Sequence, residues 1–235
     1  MNRQGLNYYF KAFAELFFPR ICRGCGNHLF EHEYEVCSNC LRKLPRTGFE
    51  LIDDNPVSKM FWGRIHIEKA ASLYYYRKGE LLQKLLHKLK YRGNYHLGEV
   101  FGQQAGKIFL RSGFTADVDA VVAVPLHVKK RRERGYNQSE IIAKGISEVT
   151  KIPFLNGNLI RTVYTESQTQ KGRFERWENV KSVFNITNEK ELQGKHILLV
   201  DDVITTGATL EACASALKKA GDVKVSIVTI GMADI

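Results

Sequence analysis

LLVDDVITTGATL, residues 198–210, decides the fold and the candidate site together. HILLV (196–200) has the near-continuous apolar character of a strand buried on both faces, and the acids Asp201 and Asp202 stand at its end. Residues 201–207 form a Thr/Gly loop, and Ala208–Ala220 reads as a helix with Leu210, Cys213, Ala214 and Leu217 on one stripe. Cys213 belongs to that apolar stripe and is read as core. Lys218 and Lys219 complement the helix dipole, Gly221 is placed to end the helix, and VKVSIVTIGM (223–232) is the next strand. Strand, loop, helix and strand make a βαβ unit, which predicts an α/β fold with a doubly wound parallel sheet.

In such sheets ligands bind beyond the carboxyl ends of the strands, where a helix N-terminus offers unpaired N–H groups and partial positive charge. Thr205, Thr206, Gly207, Ala208 and Thr209 occupy that position. Gly207 lets the backbone approach an anion closely, and the threonine hydroxyls add donors. The loop therefore reads as a phosphomonoester cradle. Asp201 and Asp202 would repel a phosphate; they suit vicinal sugar hydroxyls or a hydrated divalent cation, so the combination reads as a ribose 5-phosphate site. It is neither G-x-x-x-x-G-K-[ST] nor G-x-G-x-x-G.

Upstream, VDAVVAVP (118–125) reads as another buried strand. It leads into a basic loop, in which residues 129–134 hold five basic side chains and one acid, and then into a helix capped by Asn137 with Glu140 and running to Val149. Ala70–Tyr76 reads as a strand, and Glu80–Leu89 as an amphipathic helix with Leu82, Leu85, Leu86 and Leu89 inward and Lys84 and Lys88 outward. A helix over Tyr95–Leu110, a short strand near Phe154–Ile160 and a long polar loop over 161–179 complete the reading.

At the other end, residues 6–18 place Leu6, Tyr9, Phe10, Phe13, Leu16 and Phe17 at helical spacing before Pro19. The cysteines follow as C-x2-C-x11-C-x2-C: Cys22, Cys25, Cys37 and Cys40. Two such knuckles supply a tetrahedral four-thiolate site for structural Zn2+, with iron the other metal that fits. His28 and His32 in the spacer are the alternative ligands. The expected organisation is an N-terminal amphipathic helix (1–19), a four-cysteine zinc-ribbon module (20–56) and an α/β domain (57–235).

The chain has 235 residues, 44% hydrophobic and 26% charged, a globular composition. No run is long and apolar enough to span a bilayer, and no secretory signal is read, so a soluble cytoplasmic protein is expected. The 35 Lys and Arg against 25 Asp and Glu leave a net charge of +10, which favours anionic partners without choosing among them.

Residues 197–209 resemble the ribose-phosphate signature of the type I phosphoribosyltransferases. The resemblance implies that Asp201 and Asp202 meet the ribose hydroxyls of phosphoribosyl pyrophosphate, bound with Mg2+, while 205–209 hold its 5-phosphate. The wider pattern is similar to the ComF family, competence-associated phosphoribosyltransferase-like proteins with an N-terminal four-cysteine element. It comprises LHKLKYRGNYHLG (86–98), the basic loop, Arg134-Gly135-Tyr136-Asn137-Gln138, and then Arg161, Thr165, Gln168, Arg176, Asn179, Val180 and Phe184. Lys171 departs from that pattern. The pyrophosphate loop is then Pro125, Leu126, His127, Lys129, Arg131 and Arg134, and Arg161, Thr165, Gln168, Arg176 and Asn179 form a lid. The family implies either transfer of the phosphoribosyl group to an acceptor, or a non-catalytic protein of DNA uptake that binds single-stranded DNA and recombination partners. Tyr136, Phe174 and Trp177 are candidates for stacking bases.

Overall fold

The computed structural model describes residues 19–90, 94–162 and 183–233. They fall in two compact units, one up to Leu44 and one from Pro45 on. Residues 45–56, grouped in sequence with the cysteines, make backbone hydrogen bonds inside the larger unit, such as Thr47 N–H to the Leu73 carbonyl (3.0 Å) and Tyr75 N–H to the Pro45 carbonyl (2.9 Å). The helix expected over 6–18 lies outside the described residues.

The larger unit is built on a four-stranded parallel sheet of β1 (Ala70–Tyr76), β2 (Ala120–Ala123), β5 (His196–Ile204) and β6 (Lys224–Ala233) in the order β1-β6-β5-β2. A separate antiparallel pair joins β3 (Leu159–Arg161) to β4 (Phe184–Ile186). The short strand expected at 154–160 is thus displaced toward Arg161, and Phe154 makes only an isolated bridge to Val121. Helices α1 (Leu81–Leu89), α2 (His96–Ser112), α3 (Val128–Arg134), α4 (Gln138–Thr150) and α5 (Ala208–Lys218) connect these strands.

The central strands are buried because neighbours flank them on both sides. Ile197–Val200 of β5 and Val225 and Ile227 of β6 are inaccessible to solvent. The four inward leucines of α1 are buried and Lys84 and Lys88 exposed, as their spacing predicts. Burying each such leucine contributes about 1.5–3 kcal/mol before entropy is subtracted. Helices α2 and α4 cross at glycines. A Cβ at Gly102 would lie 2.3 Å from the Ile142 carbonyl oxygen, and one at Gly145 would lie 2.9 Å from the Gly102 Cα. That contact seats α4, and with it the groups at its N-terminus.

Two expectations are corrected. β5 does not stop at Val200: it runs through Asp201 and Asp202 to Ile204, with Asp201 opposite Thr229 of β6. The β-branched Val203 and Ile204 carry the ladder past the acids. Residues 128–134 are a helix rather than a loop. Lys, Arg and Glu are good helix formers, the His127 Nδ1 caps the start by accepting from Lys129 N–H (3.2 Å), and Gly135 (φ +87°) ends it.

Candidate functional site

The loop Thr205–Gly207 joins β5 to α5 at the carboxyl end of the sheet. Gly207 adopts a left-handed conformation (φ +75°) and stands immediately before the helix. Among the described residues, the N–H groups of Thr205, Thr206, Gly207 and Thr209 donate to no protein acceptor. The Ala208 N–H makes only a long contact, 3.5 Å, to the Thr206 hydroxyl. These donors border a concavity of about 50 Å³ lined by Asp201 and residues 203–210. Converging unpaired N–H groups at a helix start suit a compact anion.

The two acids are held by different partners. Asp201 Oδ1 accepts from the Ser139 hydroxyl (2.7 Å) and from the Asp202 N–H (2.9 Å), and Asp202 Oδ1 accepts from the Val203 N–H (2.7 Å). Burial, then the adjacent Asp202 carboxylate, pushes Asp201 up to about 7, although its hydrogen bonds oppose the rise. A carboxylate so destabilised invites sugar hydroxyls or a cation to restore its charge. Because Oδ1 is occupied from the protein side, Oδ2 is the oxygen left for a ligand.

Ser139 is brought there by α4. Asn137 Oδ1 caps the helix through Ser139 N–H (3.2 Å), while Asn137 Nδ2 donates to the Val124 carbonyl (2.9 Å), tying the end of β2 to the helix start. Sequence reasoning found the cap but not the Ser139 contact with Asp201. The only available signal was a hydroxyl in the first turn of a helix that starts beside the strand ends.

The basic segment divides. Lys129, Arg131 and Arg132 are exposed on α3. Arg131 forms a bidentate pair with Glu140 (3.1 Å on each arm), and Arg134 donates to Gln138 Oε1 (2.9 Å). Pro125, Leu126 and Arg131 line a cavity of about 200 Å³ shared with Phe154 and Arg161. Burial, then the charges of Arg161, Lys129 and Lys130, holds His127 below the ordinary imidazole range. Arg161 lies at the end of β3 with its guanidinium 5.6 Å from the centre of the Phe184 ring. Thr165, Gln168, Arg176 and Asn179, with Lys171, Phe174 and Trp177, fall outside the described residues. Tyr136 packs edge-on to Tyr95, with ring centres 6.3 Å apart, and its hydroxyl donates to the Leu89 carbonyl.

In the smaller unit the four cysteine sulfurs lie within 4.8 Å of one another. Cys25 and Cys37 are 3.8 Å apart, too far for a disulfide and close to the ~3.8 Å edge of a tetrahedron with ~2.3 Å zinc–sulfur bonds. The N–H groups of Gly24 and Cys37 point at the Cys22 sulfur (3.3 and 3.2 Å), and the Cys40 N–H points at the Cys37 sulfur (3.4 Å). Such donors stabilise thiolates, so the residues fit a four-thiolate metal site. His28 and His32 are exposed and stand outside the cluster. Buried Glu33 ties the module by accepting from Ser38 N–H (2.7 Å) and Phe30 N–H (3.1 Å), and these bonds hold its carboxyl below the usual range.

Residues 130–231 match the phosphoribosyl transferase domain family, and the protein has the type I phosphoribosyltransferase fold with a four-cysteine cluster near its N-terminus. It is 26% identical over 210 residues to competence protein F of Haemophilus influenzae, covering 88% of this chain and 82% of that one. It is 25% identical over 203 residues to competence protein ComFC of Bacillus subtilis, covering 86% and 79%. It is also 28% identical over 149 residues to DNA utilization protein YhgH of Escherichia coli, covering 62% and 65%. These similarities support the ComF family with a phosphoribosyltransferase fold. Among solved structures it is similar to the glutamine phosphoribosylpyrophosphate amidotransferase of B. subtilis (22% identity, TM-score 0.40), covering 57% of this chain and 26% of that one.

Proposed function

We propose that the protein binds phosphoribosyl pyrophosphate with Mg2+ and transfers the phosphoribosyl group to an acceptor in the service of DNA uptake. The observation that carries this reading is the set of unpaired N–H groups at Thr205, Thr206, Gly207 and Thr209 beside two adjacent acids of β5. The turn would take the 5-phosphate, and Asp201 and Asp202 the ribose hydroxyls. Mg2+, held near Asp201 and Asp202, would supply positive charge to the leaving group. The segment Pro125–Arg134 would add cations. The bond from the anomeric carbon to pyrophosphate breaks with its electron pair on pyrophosphate, and the acceptor's lone pair forms the new bond.

Zn2+ in the four-cysteine site would act structurally, since closed coordination leaves no position for substrate. The names of the relatives and the +10 charge support a cytoplasmic role beside single-stranded DNA. Among the described residues no helix is long and apolar enough to cross a membrane. The same observations favour a second reading, in which the pocket senses the activated sugar and the protein handles DNA without catalysis.

Calorimetric titration with phosphoribosyl pyrophosphate and Mg2+ tests the site. Saturable binding that disappears in the double variant Asp201→Asn, Asp202→Asn is expected, and unchanged affinity there removes the assignment. Pyrophosphate release that depends on an added acceptor favours transfer; binding without release under every acceptor favours sensing.

A further inference from the structure

The phosphate loop is braced by a residue 142 positions earlier in the chain. Arg64 Nη1 donates to the Thr206 carbonyl (3.1 Å) and to the Met60 carbonyl (3.0 Å), while Nη2 pairs with Glu211 in the first turn of α5. From the same segment, fully buried Phe61 fills the space beside Gly207: a Cβ there would sit 3.3 Å from its ring. In a trans peptide the C=O and the following N–H point in opposite directions. A guanidinium that fixes the Thr206 carbonyl therefore fixes the Gly207 N–H facing away from Arg64. Gly207, free to adopt either sign of φ, would otherwise let this peptide plane rotate.

We propose that Arg64 is a positioning residue for anion binding: it holds the Thr206–Gly207 peptide so that its N–H faces the cradle, with Phe61 as the stop behind the glycine. This rests on the phosphate reading of the loop and deepens it, since Arg64 acts through the backbone rather than on the sugar. Arginine suits the role because one planar fork reaches two carbonyls and a carboxylate at once, a geometry that a lysine ammonium does not reproduce. Glu211 offsets the charge of Arg64, so the effect on the anion is chiefly orientation.

The test uses the full chain with ribose 5-phosphate as the probe, followed by calorimetry and by the amide 15N resonance of Gly207. In the unsubstituted protein the Gly207 amide is expected to move on titration. Arg64→Ala is expected to weaken binding on the order of tenfold, the equivalent of one lost hydrogen bond to a charged group, and to suppress the Gly207 shift. Arg64→Lys keeps the charge and guards against a failure to fold; it is expected to restore less than half of the lost affinity on a logarithmic scale. Affinity within twofold of the original in Arg64→Ala, or full rescue by Lys, overturns the positioning role while leaving the phosphate site standing. No binding and no Gly207 shift in the unsubstituted protein overturns the phosphate reading and this inference with it.

Discussion

Asp201→Asn should make the ligand-free protein more stable. Asparagine keeps an oxygen to accept from Ser139 and from the Asp202 N–H, so the substitution removes charge and little else. Burial and the neighbouring acid raise Asp201 from 3.8 to about 7. Between those values the folded state holds a proton that the unfolded chain has released, so native stability falls as pH rises through that window. At about 1.36 kcal/mol per unit, the full shift sets a ceiling of roughly 4 kcal/mol above pH 7. Relaxation around the new amide leaves an expected gain of about 2 kcal/mol, or roughly 4–8 °C in Tm for a chain of this size. Urea unfolding in Mg2+-free buffer at pH 8 and at pH 5 is the assay. The gain should be full at pH 8, shrink by more than half at pH 5, and accompany loss of ligand binding. A variant no more stable at pH 8, or equally stabilised at both pH values, would refute the argument that Asp201 is a destabilised ion kept for its ligand.

Three further outcomes are expected. Ser139→Ala removes the hydroxyl that favours ionised Asp201, so phosphoribosyl pyrophosphate binding should weaken on the order of tenfold and its pH midpoint should move upward in calorimetry across pH 6–9. Gly102→Ala drives a methyl group into the Ile142 carbonyl and should cost about 2–3 kcal/mol in urea unfolding, because α2 and α4 must separate. Cys22→Ser should abolish stoichiometric zinc by elemental analysis and accelerate hydrogen exchange over residues 20–44, with β5 and β6 unaffected.

Much of this molecule was legible in the chain because its signals are local. A five-residue apolar run, two acids and a Thr/Gly turn specify a strand, a turn and a helix start within 13 positions, since backbone hydrogen bonding and burial act over that range, although the strand runs four residues further than the apolar run. The α1 leucines and the cysteine knuckles were readable for the same reason: fixed periods, and a tetrahedron that needs four sulfurs at short spacing. Local signals misjudged the Lys/Arg run after Pro125, where charge suggested a loop although the helix propensity of the same residues and the His127 cap favoured a helix.

The sequence alone thus determined that a parallel α/β sheet would carry paired acids and a Thr/Gly turn leading into a helix start, and that a four-cysteine module would precede it. Tertiary structure decided how that turn is made rigid and how the acids are tuned. Ser139 meets Asp201 across 62 positions, and Arg64 meets Thr206 across 142. Such contacts leave no periodic trace in a sequence. They exist because a glycine-tight crossing of α2 and α4 seats one helix start against the sheet, and because a buried phenylalanine seats the Arg64 segment against the turn.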